Sequence, residues 1–283
     1  MLTDDLSDQG QPVKTKVARL EREEGIGFFF HVISNSWTAF LRDIGISLGG
    51  ALHDKILMMA RYRITRESLL DGSHHARIRA DQGPHVGFMS DEERCAHLAH
   101  TLARAPQPGR IWVFGYGSLM WNPAFHYVER HVARIHGFHR QFCLWSRGGR
   151  GTPERPGLML SLECGGSCNG VAYRIAPEAA ITELDVLWRR EMASRSYRAV
   201  WASLHMPQGI EWGIAFAVNR AHERYVPRLD AETMARYLAT GRGTNGDCCD
   251  YLFDTVDHLR ELDIRDRRME ALERRVRELR AGA

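Results

Sequence analysis

The chain has 283 residues, 44% of them apolar, and a net charge of +3 from 38 basic and 35 acidic side chains. That length and composition can build a real core, and so even a balance of charge excludes nucleic-acid binding driven by net charge alone. The first residues are acidic, and the one long apolar stretch, Gly25 to Leu41, is broken by His31, Ser34, Asn35 and Ser36 and falls short of the roughly 20 residues of a membrane span. A cytoplasmic protein with six free thiols and no membrane partner is therefore expected.

Residues 1–57 show no clean period of 2 or 3.6. They are expected to be accessory or a non-native upstream extension, because Met58 or Met59 would make a start just before a regular sequence begins. Residues 58–109 read as a helical arm and linker. Ser90 and Glu93 form a capping box ahead of Leu98 and Leu102, Asp71 to Gly87 reads as a loop, and Pro106-Gln-Pro-Gly109 ends the arm.

Residues 110–283 form the main domain. Ile111 to Phe114 predict a buried strand that breaks into Gly115-Tyr-Gly-Ser118. Further strands are predicted at 140–145, 158–163, 170–175, 197–206 and 210–218. Turns at Gly165-Gly166-Ser167 and Pro207-Gln208-Gly209 make them hairpins of a largely antiparallel sheet. A helix runs from Pro177 to about Met192. The last third is helical, over 230–237, 251–261 and 265–280, with Met269, Leu272, Val276 and Leu279 forming a face that docks on the core. The fold class is α+β.

Several residue sets could carry chemistry. Successive amides in the Gly-Tyr-Gly-Ser turn can converge on an anionic group, although a plain bend accounts for the glycines equally well. The run does not match a dinucleotide fingerprint, since Met120 stands where a third glycine is needed. Leu184, Leu187, Trp188 and Glu191 share one helical face, so Glu191 extends an apolar line and its pKa should rise, as a general acid/base near neutrality requires. The alternative is a carboxylate neutralised by Arg189, Arg190 or Arg195. Cys164-x3-Cys168 with Cys248-Cys249 is a poor zinc pattern, and no histidine pair at metal-ligand spacing appears. No metal or cofactor is expected. Arg147-Gly-Gly-Arg-Gly151 is a single short loop, better suited to structure or an anion than to RNA.

Five stretches together resemble the ChaC branch of the γ-glutamylcyclotransferases: Phe114-Gly-Tyr-Gly-Ser-Leu-Met-Trp-Asn-Pro123, Gly149-Arg-Gly-Thr-Pro-Glu-Arg-Pro-Gly157, Gly170-Val-Ala-Tyr-Arg174, Trp188-Arg-Arg-Glu-Met192 with Tyr197, and Asp250-Tyr-Leu-Phe-Asp-Thr255. The resemblance spans about 64–280. It implies a mixed, barrel-like sheet with peripheral helices, and release of 5-oxoproline from glutathione without a cofactor. By the same resemblance, Glu191 is the catalytic residue, and Tyr116, Gly117, Ser118, Leu119 and Tyr197 bind substrate. The resemblance assigns no group to the cysteinylglycine end, for which Arg150 is a candidate. A monomer or weak dimer is expected. Two other readings stay open: a cyclotransferase for another γ-glutamyl amine or amino acid, and a non-catalytic binding protein on the same scaffold.

Overall fold

The computed structural model describes residues 64–82 and 87–282. The chain divides into two units, Met1–Arg63 and Ile64–Ala283, and the described residues lie in the second. The accessory segment expected over 1–57 and the candidate starts at Met58 and Met59 fall outside them.

Five strands close a barrel: β1 (Ile111–Gly115), β2 (Glu129–Ser146), β3 (Gly157–Ile175), β4 (Tyr197–Met206) and β5 (Gly209–Val218), in the order β1-β3-β2-β4-β5. Pairs adjacent in that order are antiparallel except the closure of β5 on β1, where Trp112 faces Gly213 and Val113 faces Ile214 in parallel, and β3 also meets β5 in parallel at Leu162 and Ala217. β1 is apolar throughout because it is buried on both faces, and Trp112, Val113 and Phe114 are almost wholly enclosed. Inward residues of β2, β3 and β5 add to the core, among them Ile135, Phe142, Leu144, Leu160, Leu162, Tyr173 and Phe216, and the helices complete it.

The hairpin expected at Gly165-Gly166-Ser167 is not a hairpin. β3 runs through it and stays paired to β2, with Ile135 opposite Cys168 and Phe138 opposite Cys164. The glycines form an irregularity in one long ribbon, where Gly137, Gly165 and Gly166 all take positive φ. Local composition signals a left-handed backbone but does not say whether the chain reverses there. The turn at Pro207-Gln208 does reverse the chain, joining Met206 to Gly209.

Helices surround the barrel. α1 (Arg66–Leu70) and α2 (Ser73–Gln82) precede α3 (Asp91–Ala103), which starts at the expected Ser90/Glu93 capping box. α2 lies where a loop was expected. Its sequence has no apolar face to betray it, and His75 holds it in place by stacking on Phe88 and bonding the Arg189 carbonyl at 2.6 Å. α4 (Ala180–Glu191) follows a short 3₁₀ turn at Pro177–Ala179, as the proline predicts. Leu184, Val186, Leu187 and Trp188 are fully buried in it. Arg66 grips the buried Glu183 of α4 with both terminal nitrogens, and Arg94 of α3 bonds Asp185 at 2.7 Å.

The C-terminal third contributes α5 (Ala231–Thr240), the two-residue strands β6 (Arg242–Gly243) and β7 (Gly246–Asp247), α6 (Cys248–Glu261) and α7 (Arg267–Ala281). α6 starts three residues before the expected Tyr251. Cys248 and Cys249 are therefore helical, and both are buried. Cysteine is a poor helix former, so the signal for this start is tertiary: the Cys248 thiol donates to the Leu158 carbonyl of β3 at 3.2 Å and accepts from the Leu158 amide. α7 docks through Met269, Leu272 and Val276, as its pattern predicts.

Candidate active site

β1 ends at Gly115, and the chain turns through Tyr116 and Gly117 into a 3₁₀ helix at Ser118–Met120. The Met120 amide closes on the Gly117 carbonyl at 2.8 Å, and the Tyr173 hydroxyl donates to the carbonyls of Leu119 and Met120 at 2.9 and 3.0 Å. The acceptors of the turn thus face the protein. The first amides of such a helix have no partner within it, and that of Ser118 turns to the Tyr251 hydroxyl. A Cβ on Gly117 would lie 2.9 Å from the Tyr251 hydroxyl, so only glycine lets these two groups approach.

Glu191 is the last residue of α4 and retains only 14% of its side-chain exposure. Burial is the larger influence on its carboxyl and holds its pKa above the ordinary 4.5, against the opposing pull of Arg190. Of the three arginines that could neutralise it, the structure selects one. Arg190 bonds Glu191 at 2.9 Å through Nε, while Arg189 is taken by Asp185 and Arg195 by Glu93. The remaining Arg190 nitrogens donate to Ser118 Oγ at 2.8 Å and to the Asn122 carbonyl. One guanidinium therefore ties the glutamate to the glycine turn and fixes both. The ion pair and the raised pKa coexist because a single partner offsets only part of the desolvation.

Three phenols close the space around this carboxylate. Tyr116 donates to the Phe216 carbonyl at 2.8 Å and Tyr197 to the Leu160 carbonyl at 3.1 Å, which locks both rings. Tyr251 comes from the first turn of α6. Burial first, and the charge of nearby Glu191 in addition, hold the pKa of all three above the usual phenol value, so each stays protonated as a donor.

The structure therefore brings Glu191, Tyr116, Gly117, Ser118 and Tyr197 together. Leu119 is different: its side chain is buried in the core and its carbonyl is occupied by Tyr173, so only its amide can face a ligand. Arg150 stands beside the group, with its guanidinium 6.0 Å from the Tyr251 ring and bonded to the Asp247 carbonyl at 3.0 Å.

Three residues that sequence reasoning did not single out belong to this assembly. In the sequence Arg190 is one of three possible neutralising partners of Glu191 and nothing more. Tyr251 falls in the Asp250–Thr255 stretch, but an aromatic on a helix reads first as core. Arg140, only 2% exposed along its side chain, donates to the Tyr116 carbonyl at 2.6 Å, to Asp266 at 2.6 Å and to the Asn169 carbonyl at 2.7 Å. A lone arginine in a predicted strand gave no sign of this.

The cysteines take no part. Burial pushes the Cys248 thiol up to about 11, and Cys249 is likewise raised by burial. The Arg147-Gly-Gly-Arg-Gly151 loop is structural, since its Gly148 and Gly149 carbonyls accept from the Thr244 and Asn245 amides at 3.1 and 2.6 Å.

Residues 111–279 match the family model of ChaC-like proteins. The chain is 41% identical over 180 residues to the glutathione-specific γ-glutamylcyclotransferase of Escherichia coli, covering 63% of this chain and 78% of that protein. It is 31% identical over 172 residues to the enzyme of the same description from Schizosaccharomyces pombe, covering 54% of this chain and 85% of the other. The fold matches the crystal structure of a γ-glutamyl cyclotransferase specific to glutathione from yeast, with a TM-score of 0.56 over 62% of this chain and 99% of that one, at 24% identity. The match to the family model covers more than half the chain, and the chain belongs to the ChaC-like protein family.

Proposed function

We propose that the protein is a glutathione-specific γ-glutamylcyclotransferase in which Glu191 moves the protons. The observation that carries this reading is the desolvated carboxylate of Glu191, tied by Arg190 to Ser118 in the Gly117–Leu119 turn. Glutathione as the substrate rests on the relatives in bacteria and yeast named for it.

The reaction needs no protein nucleophile. Glu191 takes a proton from the α-ammonium of the glutamyl unit, and the freed amine attacks its own γ-amide carbonyl. The C–N bond to cysteinylglycine then breaks, 5-oxoproline forms, and Glu191 returns the proton to the departing nitrogen. Two protons pass from the attacking to the leaving nitrogen over the cycle. Backbone amides at Gly117, Ser118 and Leu119, with the phenols of Tyr116 and Tyr197, hold the glutamyl unit folded for ring closure. Such positioning is worth roughly 7 to 11 kcal/mol in well-oriented intramolecular reactions. Arg150, beside Tyr251, would in this reading meet the cysteinylglycine end.

The same reading takes residues 110–283 as the catalytic domain and 58–109 as its arm, acting in the cytoplasm as a monomer or weak dimer. Among the described residues no helix is long and apolar enough to cross a membrane.

Incubation with glutathione and, separately, with γ-glutamylalanine, followed by assay of 5-oxoproline, tests the substrate. Release from glutathione alone is expected, whereas equal release from both would assign a broader γ-glutamyl specificity. Gly117→Ala tests the turn. The added methyl meets the Tyr251 hydroxyl at 2.9 Å and a Leu160 methyl at 3.4 Å, so neighbours must move. A stability loss of about 1 to 3 kcal/mol is expected from such overpacking, with a raised KM for glutathione. Steady-state kinetics and thermal unfolding on the same preparation check it, and a KM equal to wild type would count against a binding role for the turn.

A further inference from the structure

Away from Glu191, an open cavity of about 580 Å³ lies between the β2–β3 ribbon and the start of α7, walled by Arg140, Glu163, Arg220, Arg228, Asp266 and Arg268. Its charges do not cancel. Glu163 is fully engaged: it accepts from Arg220 at 2.9 and 2.6 Å, from the Cys164 amide at 2.7 Å and from the Tyr225 hydroxyl at 2.9 Å. Asp266 is also engaged, by Arg140 and by the Met269 amide. Arg228 and Arg268 are exposed, and among the described residues neither has an acidic partner. Two cations therefore face the cavity with nothing to balance them, and Arg220 adds a third guanidinium that is only partly used.

Helix electrostatics do not explain the placement. Arg267 and Arg268 occupy the first turn of α7, where the partial positive charge of the helix N-terminus disfavours cations. An anion in the cavity would relieve that repulsion as well as pairing the arginines.

We propose that this cavity binds a compact multivalent anion of the phosphoryl class. Three guanidinium groups approach it from β5's exit, from the 228 loop and from α7. A tetrahedral phosphoryl group has oxygens for several such directions, whereas one planar carboxylate matches a single fork. The cavity also reaches the catalytic turn through one side chain. Arg140 bonds Asp266 in the cavity wall and the Tyr116 carbonyl in the turn, so an anion that draws Arg140 away from Asp266 changes the hold on Tyr116. That consequence rests on the proposed cyclotransferase activity; the binding itself does not.

Calorimetric titration of the full chain with pyrophosphate at low ionic strength tests the proposal. One site is expected, with affinity weakened about tenfold or more in Arg228→Gln/Arg268→Gln, since each charge-assisted contact contributes strongly. The substituted side chains are exposed, so thermal unfolding of the double variant should match wild type, and Glu191→Gln should bind pyrophosphate unchanged. Absence of binding, equal affinity in the double variant, or displacement of pyrophosphate by a γ-glutamyl compound would overturn the site. Citrate bound as tightly as pyrophosphate would overturn the phosphoryl assignment.

Discussion

Glu191→Gln is expected to reduce 5-oxoproline release from glutathione by at least about a thousandfold while leaving the fold intact. General acid–base catalysis contributes about 10² to 10⁴ in rate, and here one carboxylate serves as both base and acid, so its loss affects both halves of the reaction. Glutamine keeps the shape and a carbonyl oxygen toward Arg190, which remains anchored by Ser118 and Asn122. The stability effect has a definite sign. Because the folded pKa of Glu191 lies above 4.5, its favourable contribution is complete below that pH and is lost as pH rises through the folded value. At pH 8 the wild type carries the penalty of a desolvated carboxylate that the variant lacks. The variant should then unfold at the same temperature or higher, and this advantage should vanish near pH 4. The acid limb of the wild-type kcat/KM profile should have its midpoint above 4.5 for the same reason. Retained turnover in Glu191→Gln would remove the catalytic assignment, and a large loss of thermal stability would make the residue structural.

Arg140→Leu is expected to cost about 3 to 5 kcal/mol of stability, lowering Tm by roughly 10 °C. The substitution leaves the Asp266 carboxylate and the carbonyls of Tyr116 and Asn169 facing an apolar side chain, and truncating one partner of a buried pair strands the other. It also frees the Tyr116 carbonyl, so turnover measured well below the new Tm should fall by about a hundredfold, the usual consequence of a misplacement near 1 Å. Arg140→Lys retains the charge but not the planar fork that reaches three acceptors, and should recover only part of either loss. Thermal unfolding and kinetics of both variants distinguish this from a simple core defect, in which stability would fall with kcat preserved.

How much of this could be read in the sequence differs from residue to residue. Glu191 was legible because an acid at the end of an apolar helical face is locally anomalous. Which arginine pairs with it was not, since the competition is settled by Asp185 and by Glu93, the latter on a different helix. The Gly115–Ser118 turn was legible as a turn and as a candidate cradle, but its contact with Tyr251 was not, because that residue arrives from α6 through packing alone. Gly165 and Gly166 take positive φ, which is why the pair reads as a hairpin turn, but only pairing with β2 decides that the strand continues. α2 escaped because a helix held by a histidine contact needs no apolar periodicity.

The closure of the barrel bears on the order in which the molecule folds. β2 and β3 are consecutive in the chain and pair along a long ribbon, so their contacts are local and can form early. The seam between β1 and β5 joins Trp112 to Gly213, about a hundred residues apart, and must await the chain between them. Tyr116 stands on one side of that seam and bonds Phe216 across it. The pocket is thus completed by the strand pairing of greatest sequence separation in the barrel, and a chain with its ribbon paired but its seam open would have most of its sheet and no closed pocket.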